Sequence, residues 1–268
     1  MMARFIAALV LVATALYAQA FDHSHKAWDE LLKKHVRYVQ NGNASRVDYA
    51  GFARDRAALK AVLDDDQKVT RAEFDAWTKP QQQAFLINAY NAFTVEKILT
   101  RYPKIGSIRE LGNVFGNPWK DKFFTLFGQP ASLDLIEHET LRKEGVYDEP
   151  RVHVAVVCAS IGCPMLSRDA FTAANLEGQL ESGMQHFLSD RTRNRYNPQA
   201  KKLEVSRIFD WYGKDFEKGH KGYTSVRATL AKYADLLADK PEDRDSVRDQ
   251  KADVTFLEYD WSLNDAKQ

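Results

Sequence analysis

The chain has 268 residues, 44% hydrophobic and 28% charged, a balance that supports a buried core and excludes a disordered or collagen-like polymer. Its 38 basic and 37 acidic residues give a formal charge of +1, so no global field draws it to nucleic acid. Two cysteines exclude a disulfide-dense miniature scaffold and a multi-cysteine zinc array.

Met1 to Ala20 (MMARFIAALVLVATALYAQA) has the layout of a secretory signal peptide: Arg4, an apolar run from Phe5 to Tyr17, and the small-x-small site Ala18-Gln19-Ala20. The run is shorter than the roughly 20 residues a membrane span needs, and no later segment qualifies, so no span is expected. No cysteine lies near the cleavage site, which removes a lipoprotein anchor. Removing Arg4, the one charged residue of that segment, takes the basic count from 38 to 37, equal to the acidic 37. The expected location is the periplasm or the extracellular space, where accessible thiol pairs oxidise.

Residues 21–268 carry no repeat and no Gly/Ser- or Pro-rich linker, which argues for one domain. Thr70 with Glu73 fits a capping box. Thr78 with Gln81, and Pro80 just inside the start, fits a second, opening a helix over Gln81 to Arg101. On that helix Phe85, Ala89, Ala92, Phe93 and Leu99 form a core arc, and Leu86, Ile87, Val95 and Ile98 extend apolar surface almost around it. Such a helix belongs inside the domain, which also buries Asn88 and Asn91 and obliges them to find partners or a ligand.

Strands are expected at Phe123–Phe127 before a Gly128-Gln129 turn, and at Arg151–Val157, Lys202–Ser206 and Val254–Tyr259. Helices are expected near Leu133–Lys143, Arg168–Asp190, Phe209–Glu217 and Ser225–Leu237. The polar stretches Arg191–Lys202 and Ala238–Asp253 read as surface loops; the first has five cations and no acid, so an anionic partner is conceivable there. The pattern predicts a single α+β domain: a central buried helix packed on a small mixed sheet containing Arg151–Val157, with surrounding helices. No glycine-rich phosphate loop opens any helix, and no cofactor is expected.

Reactive side chains concentrate between Glu137 and Cys163. A helical wheel places Glu137 between Leu133 and Leu141, half-buried, where a carboxylate needs a cation such as Arg151 or other donors. His138 flanks the same face. Within the expected strand, His153 is enclosed whichever face it occupies. The run C-A-S-I-G-C-P sets Cys158 and Cys163 five positions apart, and three readings compete. The first is a disulfide acting chiefly on stability. The second is a nucleophilic cysteine, Cys158 assisted by His138, or Cys163 folded back over His153, with Glu137 orienting. The third is a zinc site from Cys158, Cys163, His153 and His138.

Six strings in order extend over nearly all of residues 21–268: VDYAGF from Val47, AFLINAYNAF from Ala84, SLDLIEHETLR from Ser132, PRVHVAVVCASIGCPML from Pro150, FDWYGKDF from Phe209 and FLEYDWSLN from Phe256. Together they make the chain resemble the bacterial and plant family called domain of unknown function 547. The resemblance implies that Asn88, Asn91, Glu137, His138, His153, Cys158 and Cys163 are family positions, and it raises the idea that the asparagines and the His/Cys segment face one pocket. By analogy, a helix bearing a polar site opposite a histidine is the layout of papain- and transglutaminase-type thiol hydrolases, although Asn88 then stands where the cysteine would be. Two functions are therefore carried forward: an exported binding or scaffolding module, for a small molecule or an envelope protein, and a cysteine-dependent hydrolase or transferase.

Overall fold

The computed structural model of the protein describes residues 20–112 and 116–267; the expected leader, Met1 to Ala20, lies outside them except for Ala20. The N-terminal third is a run of helices interrupted by one hairpin: α1 (Lys26–His35), β1 (Val36–Val39), β2 (Ala44–Val47), α2 (Tyr49–Arg54), α3 (Arg56–Lys68), α4 (Arg71–Ala76) and α5 (Lys79–Leu99). Thr70 accepts a hydrogen bond from the Glu73 amide and caps α4. The reciprocal Thr78–Gln81 box opens α5 with Pro80 in its first turn. Helix α5 is the centre of the molecule: all but four of its 21 residues are buried. Each large side chain so enclosed contributes about 1.5–3 kcal/mol relative to exposure.

A second hairpin, β3 (Phe124–Leu126) and β4 (Gln129–Ala131), follows and turns at Phe127-Gly128. After it come a π-helix at Leu135–Leu141, a 3-10 helix at Pro150–Val154, α6 (Leu176–Ser189), β5 (Arg195–Asn197), β6 (Lys202–Val205) and α7 (Ile208–Trp211). The chain ends with α8 (Val226–Lys232), α9 (Ala234–Leu237), α10 (Pro241–Arg248) and β7 (Asp253–Phe256). Strand β6 pairs antiparallel with β5 and parallel with β7, giving a small mixed sheet. The α+β class holds, and among the described residues no helix is long and apolar enough to cross a membrane.

Three expectations are corrected. Arg151–Val157 is not a strand and joins no sheet: Pro150 starts a 3-10 turn, the Glu149 carboxylate accepts from the Arg151 amide at 3.0 Å, and the segment packs between α5 and α6. An alternating run enclosed on all sides does not distinguish a strand from a buried helical turn. The polar stretch Ala238–Asp253 holds α10, which Pro241, first-turn acids and a single buried Val247 support. The basic loop Arg191–Lys202 contributes β5, and three of its arginines are paired: Arg191 with Asp239, Arg193 with Asp190 and Arg195 with Glu204.

Two apolar clusters form the core. The larger surrounds α5; the smaller, built from Phe187, Phe209, Phe216 and Leu230 among others, joins α6 to α9 and the mixed sheet. Tyr259 packs against both. Beyond it the C-terminal segment runs back across the molecule: Leu263 N–H donates to Gly106, Asn264 accepts from Val47 N–H and from the Tyr49 hydroxyl, and Ala266 N–H donates to Val47.

Candidate functional site

At the seam of the two clusters lies a cleft of ≈ 230 Å³ lined by Tyr90, Asn117, Trp119, Asp134, Glu137, His138, His153, Val156, Cys158, Cys163, Pro164, Ile208, Trp211, Tyr212, Tyr259 and Trp261. Five of the sequence-nominated residues, Glu137, His138, His153, Cys158 and Cys163, share it.

Glu137 and His138 are delivered by the π-helix, whose wide turn is marked by the Arg142 amide donating to the Glu137 carbonyl five residues back. Such turns recur at functional sites. The Glu137 carboxylate accepts from the Tyr90 hydroxyl at 3.0 Å. Burial, then the charge of Glu137, pushes the Tyr90 and Tyr212 hydroxyls well above the usual phenol range, so both remain protonated donors. The expected partnership of Glu137 with Arg151 is replaced: Arg151 forms a bidentate pair with Glu149 and a further one with Glu177 at 2.7 Å.

His138 Nδ1 lies 2.7 Å from the Arg142 guanidinium. A guanidinium only donates, so Nδ1 accepts, and in the neutral ring Nε2 carries the proton. That nitrogen is 3.8 Å from Asp134 and 4.0 Å from Glu137. Arg142 Nε also donates to Asp215 at 2.6 Å, and His153 Nε2 meets the same carboxylate oxygen at 2.8 Å. Burial lowers the His153 pKa against the opposing pull of Asp215, so the ring is held neutral with Nε2 donating. Although burial alone would raise it, hydrogen bonds from His153 and Arg142 hold the Asp215 carboxyl well below its ordinary range. The His153 ring stacks on Tyr212 with centroids 3.8 Å apart, and its buried Nδ1 has no hydrogen-bond partner among the described residues.

Cys158 and Cys163 are joined as a disulfide with Cα atoms 6.2 Å apart. No free cysteine remains, so in this state neither sulfur is a nucleophile or a zinc thiolate. The Tyr259 hydroxyl lies 3.1 Å from each sulfur.

Asn88 and Asn91 do not line the cleft. Asn88 exchanges two hydrogen bonds with the backbone of Phe171, and Asn91 donates to the Ala155 carbonyl and accepts from the Val157 amide, both at 2.9 Å. Their amides tie loops to α5, and the common pocket expected from the family positions forms without them.

Sequence reasoning did not nominate Tyr90, Asp134, Tyr212, Asp215, Tyr259 or the three tryptophans. The signal for most of them lay inside strings already quoted, since AFLINAYNAF holds Tyr90, FDWYGKDF holds Trp211, Tyr212 and Asp215, and FLEYDWSLN holds Tyr259 and Trp261.

Fold and site together define an α+β protein with an aromatic, carboxylate-bearing cleft walled on one side by a cystine. Residues 74–188 match the model of a family described as "Protein of unknown function, DUF547", and the match supports assigning the chain to that family. The matched segment includes Glu137, His138, His153 and both cysteines; Tyr212, Asp215, Tyr259 and Trp261 lie beyond it. No curated protein and no solved structure matches the chain.

Proposed function

We propose that the chain is an exported binding module and that its ligand is a compact organic cation held in the cleft. The observation that carries this reading is the composition of the walls. The rings of Trp119, Trp211, Trp261, Tyr212 and Tyr259 accompany the carboxylates of Asp134 and Glu137, and the described lining residues include no Lys or Arg. Aromatic faces attract a cation through their quadrupoles, the more so where water is excluded, and a carboxylate adds direct charge. Of the guanidinium groups against the lining residues, Arg142 over the Tyr212 ring is paired with Asp215 and Arg193 at the Cys163 carbonyl with Asp190, while Arg109 stands 5.3 Å from the Trp261 ring. The leader pattern and the cystine support export.

Titration with benzyltrimethylammonium, read by tryptophan fluorescence, tests this against benzoate, which has a similar ring and the opposite charge. The cation should give a saturable change that Glu137→Gln weakens by about tenfold, the loss expected for one charged partner. No saturable response to millimolar cation, or an equal response to benzoate, overturns the reading. One observation favours the second reading, a cysteine-dependent hydrolase or transferase: Cys158 shares the cleft with His138 and Glu137. It requires the disulfide to be open, so it expects ester or amide hydrolysis only after reduction.

A further inference from the structure

We propose that the Cys158–Cys163 cystine is a thiol–disulfide exchange site, with a dithiol as its substrate and Cys158 as the sulfur attacked. Access selects Cys158. Both sulfurs belong to the cleft wall, but Cys158 is half-buried whereas Cys163 is 3% exposed. A thiolate entering the cleft meets Cys158 first.

Stabilisation of the leaving group selects the same direction. The Cys158 amide donates to Cys163 Sγ at 3.0 Å. The Tyr259 hydroxyl is the donor to the sulfurs it touches, because a disulfide sulfur carries no hydrogen. Burial lifts the Tyr259 phenol well above its usual range, so it keeps that proton. As the S–S bond breaks and charge gathers on Cys163 Sγ, both bonds become charge-assisted, and a better-stabilised thiolate leaves faster.

The loop does not depend on the bond for its shape. Ile161 N–H donates to Ser262, Gly162 N–H to Asp260, Asn264 N–H to the Ala159 carbonyl, and Arg193 to the Cys163 carbonyl. Closing so small a ring removes little chain entropy, so the cystine adds little that these bonds do not already supply.

The chemistry balances without another reagent. A first substrate thiolate forms a bond to Cys158 Sγ, the Cys158–Cys163 bond breaks, and its electron pair leaves on Cys163 Sγ. The second substrate thiolate then attacks the substrate sulfur of this mixed disulfide and expels Cys158 as thiolate. The dithiol is oxidised to a disulfide and the cystine reduced to two thiols, which take up the two protons the substrate lost.

Native oxidised full-length protein is incubated briefly with cysteamine, a monothiol whose ammonium suits the carboxylate-lined cleft, then acid-quenched to trap the mixed disulfide before Cys163 or a second thiol resolves it, and mapped by mass spectrometry. The expected adduct is on Cys158, with Cys163 free. Tyr259→Phe keeps the ring and removes the donor, and should slow native exchange by about three- to tenfold while leaving exchange of the urea-denatured chain unchanged. An adduct on Cys163, a cystine reducible only after denaturation, or Tyr259→Phe exchanging at the wild-type rate would each overturn the proposal.

Discussion

Replacing Asn91 by Leu removes two buried hydrogen bonds while keeping the γ-branched outline of the side chain, which makes a lower bound on the cost calculable. The amide is 3% exposed, and its partners, the Ala155 carbonyl and the Val157 amide, belong to residues that are also buried. Each partner left unsatisfied costs about 1–3 kcal/mol, and no cavity is added, so the expected loss is at least about 3 kcal/mol. For a domain of this size that corresponds to a fall of roughly 6–12 °C in melting temperature. Urea denaturation of the full chain, followed by circular dichroism and tryptophan fluorescence, measures it. Asn91→Asp separates the two bonds. It keeps the acceptor for Val157 N–H but sets a carboxylate against the Ala155 carbonyl, so its penalty relative to wild type should shrink as pH falls and the carboxyl protonates. If Asn91→Leu stays within about 0.5 kcal/mol of wild type, the level expected of an uninvolved surface position, then this amide does not anchor the cystine loop and the reasoning fails.

The buried His25 is pushed down from 6.5 to about 4, by burial first and by His23 next, with Asp22 opposing. Because the folded state disfavours the charged ring, its contribution is complete above the unfolded value and is lost as pH falls from 6.5 towards 4. Between pH 8 and pH 5 this amounts to about 2 kcal/mol. His25→Asn tolerates the left-handed backbone there (φ 51°), and its stability difference from wild type should shift by that amount across the interval; a constant difference would exclude His25 as the cause. Gly162→Ala should cost about 1–3 kcal/mol through overpacking, because a Cβ there would sit 3.0 Å from the Asp260 carbonyl and the Tyr259 ring. A wild-type melting temperature for that variant would show that the loop yields more readily than its packing implies.

The parts of the molecule that local chemistry dictates were the readable ones. Thr78, Pro80 and Gln81 announce α5 because a capping box needs nothing beyond its own turn, and the apolar surface all around that helix announces burial. His153 resisted reading. The alternation of Val152, Val154 and Val156 mimics a strand, and what makes this a 3-10 turn is Pro150, the Glu149 cap and contact with α6, of which only Pro150 is visible as a local signal. The π-turn at Glu137 has no periodicity of its own to betray it. Reactive residue types brought Glu137, His138, His153 and the cysteines into the candidate site. The tryptophans and tyrosines did not stand out, because rings that line a cleft and rings that fill a core are the same residues in sequence.

The C-terminal segment gives the cleft a dependence on the order of synthesis. Tyr259 and Trp261 line a cavity whose carboxylates lie more than a hundred residues earlier, and the same segment is fastened to Val47, Tyr49 and Gly106. Contacts so distant along the chain cannot form before the residues beyond Phe256 have been made. A nascent chain that has made α5, the π-helix and the cystine loop therefore has cysteines and carboxylates but no enclosed site. The last dozen residues complete the site, so a truncated or partly translated chain carries its reactive groups without the chamber that selects what reaches them.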